Sequence, residues 1–206
     1  MLQYTPLPQA RAVLEFWFGD ALELGWPSQP RGELWFGGGS AVDSEINARF
    51  GQLVNAAVDG ALADWEMLAV NRLALVILLD QFTRNVFRGQ ARAFAGDGRA
   101  QTLVADGAIP DWPARLPLAG QVFLTMPLVH AETMTLQDEG VRRLEALLAS
   151  AAPARSKDLQ AHLDSAREHR AIIAAFGRFP HRNATLGRAD TPQEQAFMKQ
   201  GPRFGQ

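Results

Sequence analysis

Met67-Leu68-Ala69-Val70-Asn71-Arg72-Leu73-Ala74-Leu75-Val76-Ile77-Leu78-Leu79-Asp80-Gln81-Phe82 admits two readings, and the class of the protein turns on the choice. Val76-Ile77-Leu78-Leu79 alone has the composition of a buried strand. It lies, however, inside a longer pattern with helical spacing that is apolar on most faces, which predicts a central helix from Met67 to Phe82. The flanking segments agree. Pro8 to Phe18 puts Val13, Leu14 and Trp17 on one stripe, with Pro8 suited to a first turn. Ser40-Ala41-Val42-Asp43 reads as a capping signal before Ile46, Phe50, Leu53, Val54, Ala57 and Val58, and Gly60 as a stop. Shorter helices are expected at Asp97 to Asp106, ending at Gly107, and at Leu118 to Met126, running into Pro127. Leu128 to Ser150 and Arg155 to Phe176 read as two long helices joined at Pro153, and so short a connection implies antiparallel packing. Thr191-Pro192-Gln193-Glu194 is a capping box opening a last short helix. No set of alternating strands is present. The expectation is one all-α domain over residues 1–206, built of stacked antiparallel helical hairpins.

The chain has 206 residues, 47% of them hydrophobic, enough for one sizeable core. Net charge is −2, so nothing draws the protein to nucleic acid or anionic membrane. Cysteine is absent, which removes disulfides, thiolate chemistry and cysteine zinc sites and suits a reducing compartment. No basic start followed by an apolar run is seen, so no signal peptide is expected and the cytoplasm is the expected location. The longest apolar run, Leu73 to Leu79, is too short to cross a bilayer.

Polar residues concentrate at two helix ends. After the central helix come Asp80, Gln81, Arg84, Asn85 and Arg88. Asp80 and Arg84 are four apart, as are Gln81 and Asn85, and Arg84 and Arg88, so on a helix each pair shares a face. Asp80 would then orient Arg84, and Arg84 or Arg88 would grip a carboxylate or phosphate with two prongs. Nearly a hundred residues later, Phe176-Gly177-Arg178-Phe179-Pro180-His181-Arg182-Asn183 interleaves aromatics with charge. Arg178 and Arg182 fit an anion clamp, with His181 exchanging a proton near neutral pH. A purely structural reading stands beside each: the first run ties down a helix end, and the second staples the C-terminal segment to the body.

His130 and Glu132 are placed in an early turn of the helix from Leu128. His169 is the inward member of the His162/His169 pair and His162 the surface one. His130-Ala131-Glu132 lacks the downstream cysteines of a zinc deaminase and no His-Glu-X-X-His occurs, so neither a metal nor a cofactor is expected. Gly37-Gly38-Gly39-Ser40 lacks the ending of a phosphate loop and reads as a turn.

These runs resemble a bacterial family known only as domain of unknown function 924. The resemblance rests on Val13-Leu14-Glu15-Phe16-Trp17-Phe18-Gly19, Trp35-Phe36 with Asp43, and Gly60-Ala61-Leu62 with Trp65. It continues through Leu79-Asp80-Gln81-Phe82, Arg84-Asn85-Val86-Phe87-Arg88-Gly89, Ala93-Phe94-Ala95 with Asp97, and Met126-Pro127-Leu128 with His130. Phe176 to Asn183, with Leu186-Gly187-Arg188, completes it. Thr83 stands where the family usually has Pro, which weakens any fixed turn there. The resemblance implies an all-helical fold similar to tetratricopeptide-repeat proteins, and no activity. Asp80, Gln81, Arg84, Asn85, Arg88, His130, His169, Arg178, His181, Arg182 and Asn183 fall on the family's polar positions.

Three functions fit these observations. The leading one is binding of a small or peptidic anionic ligand by Gln81, Arg84, Asn85, Arg88, His130, Arg178, Arg182 and Asn183. The second is hydrolysis of an ester or phosphoester at the same place, with His181 or His169 as acid or base and Asp80 as orienter. The third is a tetratricopeptide-type interaction module.

Overall fold

The stretch from Val70 to Asp80 is helical, and every residue in it is buried. The strand reading of Val76 to Leu79 is therefore excluded, and the burial on all sides explains why no polar face was visible there. The computed structural model describes residues 6–105 and 111–202, and no strand occurs among them. The expected helix stop at Asp106 and Gly107 lies outside the described residues.

The helices, in chain order, are α1 (Pro8–Phe18), α2 (Ala21–Leu24), α3 (Ser40–Val58), α4 (Ala69–Val76), α5 (Thr83–Val86), α6 (Asp97–Ala105), α7 (Leu118–Val129), α8 (Met134–Ser150), α9 (Ser156–Phe176) and α10 (Pro192–Phe197). They fall into two compact units. The first comprises the chain up to Arg88 together with Arg92–Pro127, and the second Gly89–Ala91 together with the chain from Leu128.

In the first unit α4 and α5 are one continuous rod, joined by a π-helical segment, Ile77–Phe82. α1, α3 and α6 pack against this rod. An aromatic cluster fills the space: Trp17 lies 5.4 Å from Phe82 and 5.6 Å from Phe123, Trp35 4.8 Å from Phe123, and Phe50 5.2 Å from Phe82. Most of these pairs meet edge to face, the arrangement ring quadrupoles favour. The end of α1 is closed by side chains, since Arg31 donates to the Phe16 carbonyl (2.8 Å) and Trp35 Nε1 to that of Trp17 (3.0 Å). At α3 the capping expectation fails. Ser40 lies inside the helix, Gly39 is its first flanking residue, and no side chain caps it. Asp43 is drawn off to other partners, described below.

The π segment widens the helix by one residue per turn. Its Leu79 carbonyl accepts from Thr83 Oγ1 at 2.8 Å. Gly96, just ahead of α6, presses on the same peptide: a Cβ there would collide with the Leu79 oxygen and sit 3.0 Å from its Cα.

In the second unit α8 and α9 run antiparallel, as expected from their short connection. Asp138 pairs with Arg170 and Glu145 with Arg167, so rising numbers on one helix meet falling numbers on the other. α9 turns Leu159, Leu163, Ala166, His169, Ile172 and Ile173 inward and ends at Gly177, left-handed with φ 68°. Beyond it Phe179 joins Ile172 and Ile173 in a core that Met134, Phe176 and Phe197 flank. The capping box at Thr191 and Glu194 forms as read. One boundary moves. α7 carries Pro127 inside it and continues to Val129, and α8 begins only at Met134. His130 and Glu132 thus sit in the connection, not in a helical turn. Gln137 holds that connection, donating to the carbonyls of Val129 (2.6 Å) and Ala131 (2.8 Å).

Gly96→Ala should lower stability by about 1–3 kcal/mol through overpacking against the π segment, which corresponds to several degrees in Tm for a chain of this size. Thermal unfolding measures it, and an unchanged Tm would mean that the α6 approach yields freely.

Candidate functional site

The polar run of the first unit is built on the π segment and on α5. Four-residue spacing suggested that Asp80 holds Arg84, but the widened turn breaks that spacing. Arg84 instead donates to Asp97, its single Nη2 lying 2.7 and 2.8 Å from the two oxygens. Its other terminal nitrogen donates to the Ala93 carbonyl, and the guanidinium lies 4.5 Å from the centre of the Phe94 ring. Asp43 performs the same service for the next residues. Asn85 Nδ2 donates to it at 2.8 Å, and Arg88 Nε and Nη2 at 2.7 and 2.9 Å. Hydrogen bonding from Arg88, then from Asn85, holds the Asp43 carboxyl below its ordinary range despite its burial. Asp80 itself is 1% exposed and accepts from Gln81 Nε2 at 2.5 Å. Asp43 and Asp97 are the partners that sequence reading missed. Both lie in separate helices, so only the motif positions hinted at them.

The polar residues of the second unit gather around Phe179. The His169 ring is 5.6 Å from it and the His181 ring 5.4 Å, while His130 stands 6.1 Å from His169. The Arg182 guanidinium lies over the face of the same ring at 4.4 Å. Phe179 is held from behind by Glu132. Glu132 Oε1 accepts the Phe179 amide (2.9 Å), and its two oxygens take Arg188 Nη1 and Nη2 at 2.6 and 2.9 Å. Burial works against the Glu132 charge, yet the bonds from Arg188 and Phe179 outweigh it and lower its pKa.

Around this cluster the chain is stapled. Arg178 forks onto Glu194 at 2.6 and 2.8 Å and also reaches the Ala189 carbonyl, and Asn183 Nδ2 donates to Asp190 at 2.7 Å. The bond from Arg178, with those from Thr191, holds Glu194 well below the usual carboxylate range. Glu194 was legible as a capping residue but not as the partner of Arg178. Its one carboxylate serves both.

His169 and His181 are kept uncharged at neutral pH. Burial is the main cause for each, lowering His169 to about 4 and His181 to about 3. His130 and then Arg182 add to it at His169, and Arg182 and then His169 at His181. The expectation that His169 points inward holds, with 6% of it exposed. His162 is not the surface residue expected, because it is only partly exposed and burial takes it to about 4. No group of three or more His, Asp or Glu is placed to hold a metal ion among the described residues. His169 and His181 flank the Phe179 ring, and His130 stands beside His169.

The family model described as bacterial protein of unknown function (DUF924) matches residues 13–202. The chain belongs to this family. Among solved structures, the DUF924 chain is similar to a protein of unknown function, ATU0120 from Agrobacterium tumefaciens, at 31% identity and a TM-score of 0.75. The likeness covers 93% of this chain and 97% of that one. No curated protein matches. The all-α class is common to both structures, and neither the family nor the neighbour carries an assigned activity.

The imidazoles set an acid limit on the fold. Unfolded, each titrates near 6.5; folded, His169 does so near 4 and His181 near 3. Between those values the unfolded chain binds protons that the folded chain does not, so stability is lost as pH falls. The loss is up to about 1.4 kcal/mol per pH unit for each ring. Tm should fall steadily from neutral pH toward pH 4, and His181→Asn should flatten the fall. A Tm constant down to about pH 5 would show that water already reaches these rings.

Proposed function

We propose that this DUF924 protein binds a small or peptidic anion at the cluster formed by His130, His169, His181 and Arg182, and that it does so in the cytoplasm. The observation that carries the reading is the gathering of the buried Arg182 guanidinium, His169 and His181 against Phe179, with His130 beside His169. Arg182 raises the positive potential at His169 and His181, and an anion placed there offsets that field. The arginines elsewhere serve a different purpose. Arg84 and Arg88 are matched by Asp97 and Asp43, and Arg178 by Glu194, so these with Asn85 and Asn183 hold the chain in place. The absence of cysteine supports the reducing compartment.

The second expectation, hydrolysis of an ester or phosphoester, gains no support from these rings: a general base works best with a pKa near the operating pH, and burial takes His169 to about 4 and His181 to about 3.

A thermal-shift series with oxyanions tests the binding reading. Wild type should gain several degrees at an anion concentration about a hundredfold above Kd. Arg182→Gln should lose the gain while far-ultraviolet circular dichroism keeps its helical signal. Arg182→Lys, which keeps the charge but not the fork, should lie between them. A broad panel without any shift would remove the reading.

A further inference from the structure

The segment between α2 and α3 leaves a cleft of about 620 Å³ in the first unit, with Pro30, Arg31, Glu33, Leu34, Gly38 and Val42 in its lining. That volume falls in the range of small-molecule sites. Its walls are fixed before anything enters. Arg31 donates to the Phe16 carbonyl at 2.8 Å and sits so close to Gly19 that a Cβ there would overlap its Nη2. Trp35, within the turn Glu33–Gly37, donates to the Trp17 carbonyl. Gly38, left-handed with φ 64°, lies against the Arg88 guanidinium, which Asp43 holds. A site built in advance pays little ordering cost when a ligand arrives. The charges on these walls are of both signs. Glu33 is exposed and forms no hydrogen bond or ion pair among the described residues. Arg31 meets a carbonyl but no carboxylate at ion-pair distance among them, although its charge is felt by Asp20. Asp20 is engaged by Ser28, whose amide and hydroxyl donate to it at 2.9 and 2.5 Å. Pro30, Leu34 and Val42 make the rest of this lining apolar.

We propose that this cleft is a separate binding site, independent of the Phe179 cluster, and that it takes a zwitterion with an apolar side chain: a free aliphatic amino acid or a dipeptide of such residues. The ligand carboxylate goes to Arg31, its ammonium to Glu33, and its side chain to Leu34 and Val42. Each ligand charge then meets an opposite one, so neither loses water without a replacement. A plain anion satisfies Arg31 but is repelled by Glu33, and a plain cation meets the reverse. The pairing of signs on one cleft is thus what selects the class.

Titrating the full chain with leucine and following the backbone amides by NMR tests the site and the class together. The Gly37 and Gly38 signals should shift and saturate. N-acetyl-leucine, which lacks the ammonium, and leucinamide, which lacks the carboxylate, should each bind roughly three- to fivefold more weakly, the worth of one partly exposed ion pair. Glu33→Gln changes an exposed side chain and should bring leucine and N-acetyl-leucine to equal affinity, while leucinamide stays weaker. Arg31→Gln should equalise leucine and leucinamide instead. Because Arg31 also closes the end of α1, circular dichroism on that variant separates loss of the site from loss of the fold, and the Glu33 variant carries the test if the fold is lost. Leucyl-leucine divides the class: tighter binding than leucine assigns the dipeptide, weaker binding the free amino acid. Equal affinity for leucine, N-acetyl-leucine and leucinamide overturns the proposal, as does tighter binding of either singly charged probe. So does the absence of any shift at Gly37 and Gly38 with leucine and leucyl-leucine, whether or not amides elsewhere respond.

Discussion

Glu132 is the residue on which the second unit turns. It lies in the short connection after α7, and its carboxylate reaches across 47 positions to the Phe179 amide and 56 positions to Arg188. Arg188 closes the loop by donating to the Phe179 carbonyl at 3.2 Å. Both backbone groups of one residue are therefore fixed by a single ion pair. Against the side chain of that residue stand His169, His181 and Arg182. Burial opposes the charge of this half-buried carboxylate, and the hydrogen bonds that converge on it offset that. Remove them and its pKa would rise, Arg188 would lose its partner, and the Phe179 amide would lose its acceptor.

The first unit solves the same problem with a different part. Its central rod is apolar from Leu73 to Leu79, about two turns, and then meets Asp80, Gln81, Arg84 and Asn85. The π segment is the transition. By adding a residue to the turn it lets Asp80 stay buried while Arg84 swings out to Asp97 in α6 and Asn85 to Asp43 in α3. The long side chains then fasten two neighbouring helices to the end of the rod. Gly96 is required because α6 must come close enough for Asp97 to be in reach, and the Leu79 peptide occupies the space a Cβ would need.

Local chemistry was readable and remote chemistry was not. The central helix, the antiparallel pair and the Thr191 capping box all depend on residues within a turn or two of each other, and all were legible. The Arg84 partner was not, because the four-residue rule holds for α geometry and fails across a π turn that no residue type announces. Ser40 looks like a cap because its residue type is right; that Asp43 serves Arg88 and Asn85 depends on a rod 40 residues downstream. Pro127 looks like a helix break because it lacks an amide proton, yet α7 carries it within two residues of its end. At the candidate site the residue types were legible as a set, His130, His169, His181 and Arg182. Their organising centre, Phe179, read only as one apolar residue in a charged loop.

Membership of DUF924 constrains the fold and leaves the chemistry to be argued from the site. The division of the charges narrows that argument. Arg88, Arg178 and Arg188 each meet a carboxylate on two prongs, the geometry that fixes a chain in place, and Arg84 meets both oxygens of Asp97 with one nitrogen. Arg182 also meets an aromatic face: its guanidinium carbon lies 4.4 Å from the centre of the Phe179 ring, and its charge is felt by Glu132, His169 and His181. Burial and this positive neighbour together keep His169 and His181 from charging at neutral pH, so the acid limit on stability comes from the same packing that holds Phe179 in place.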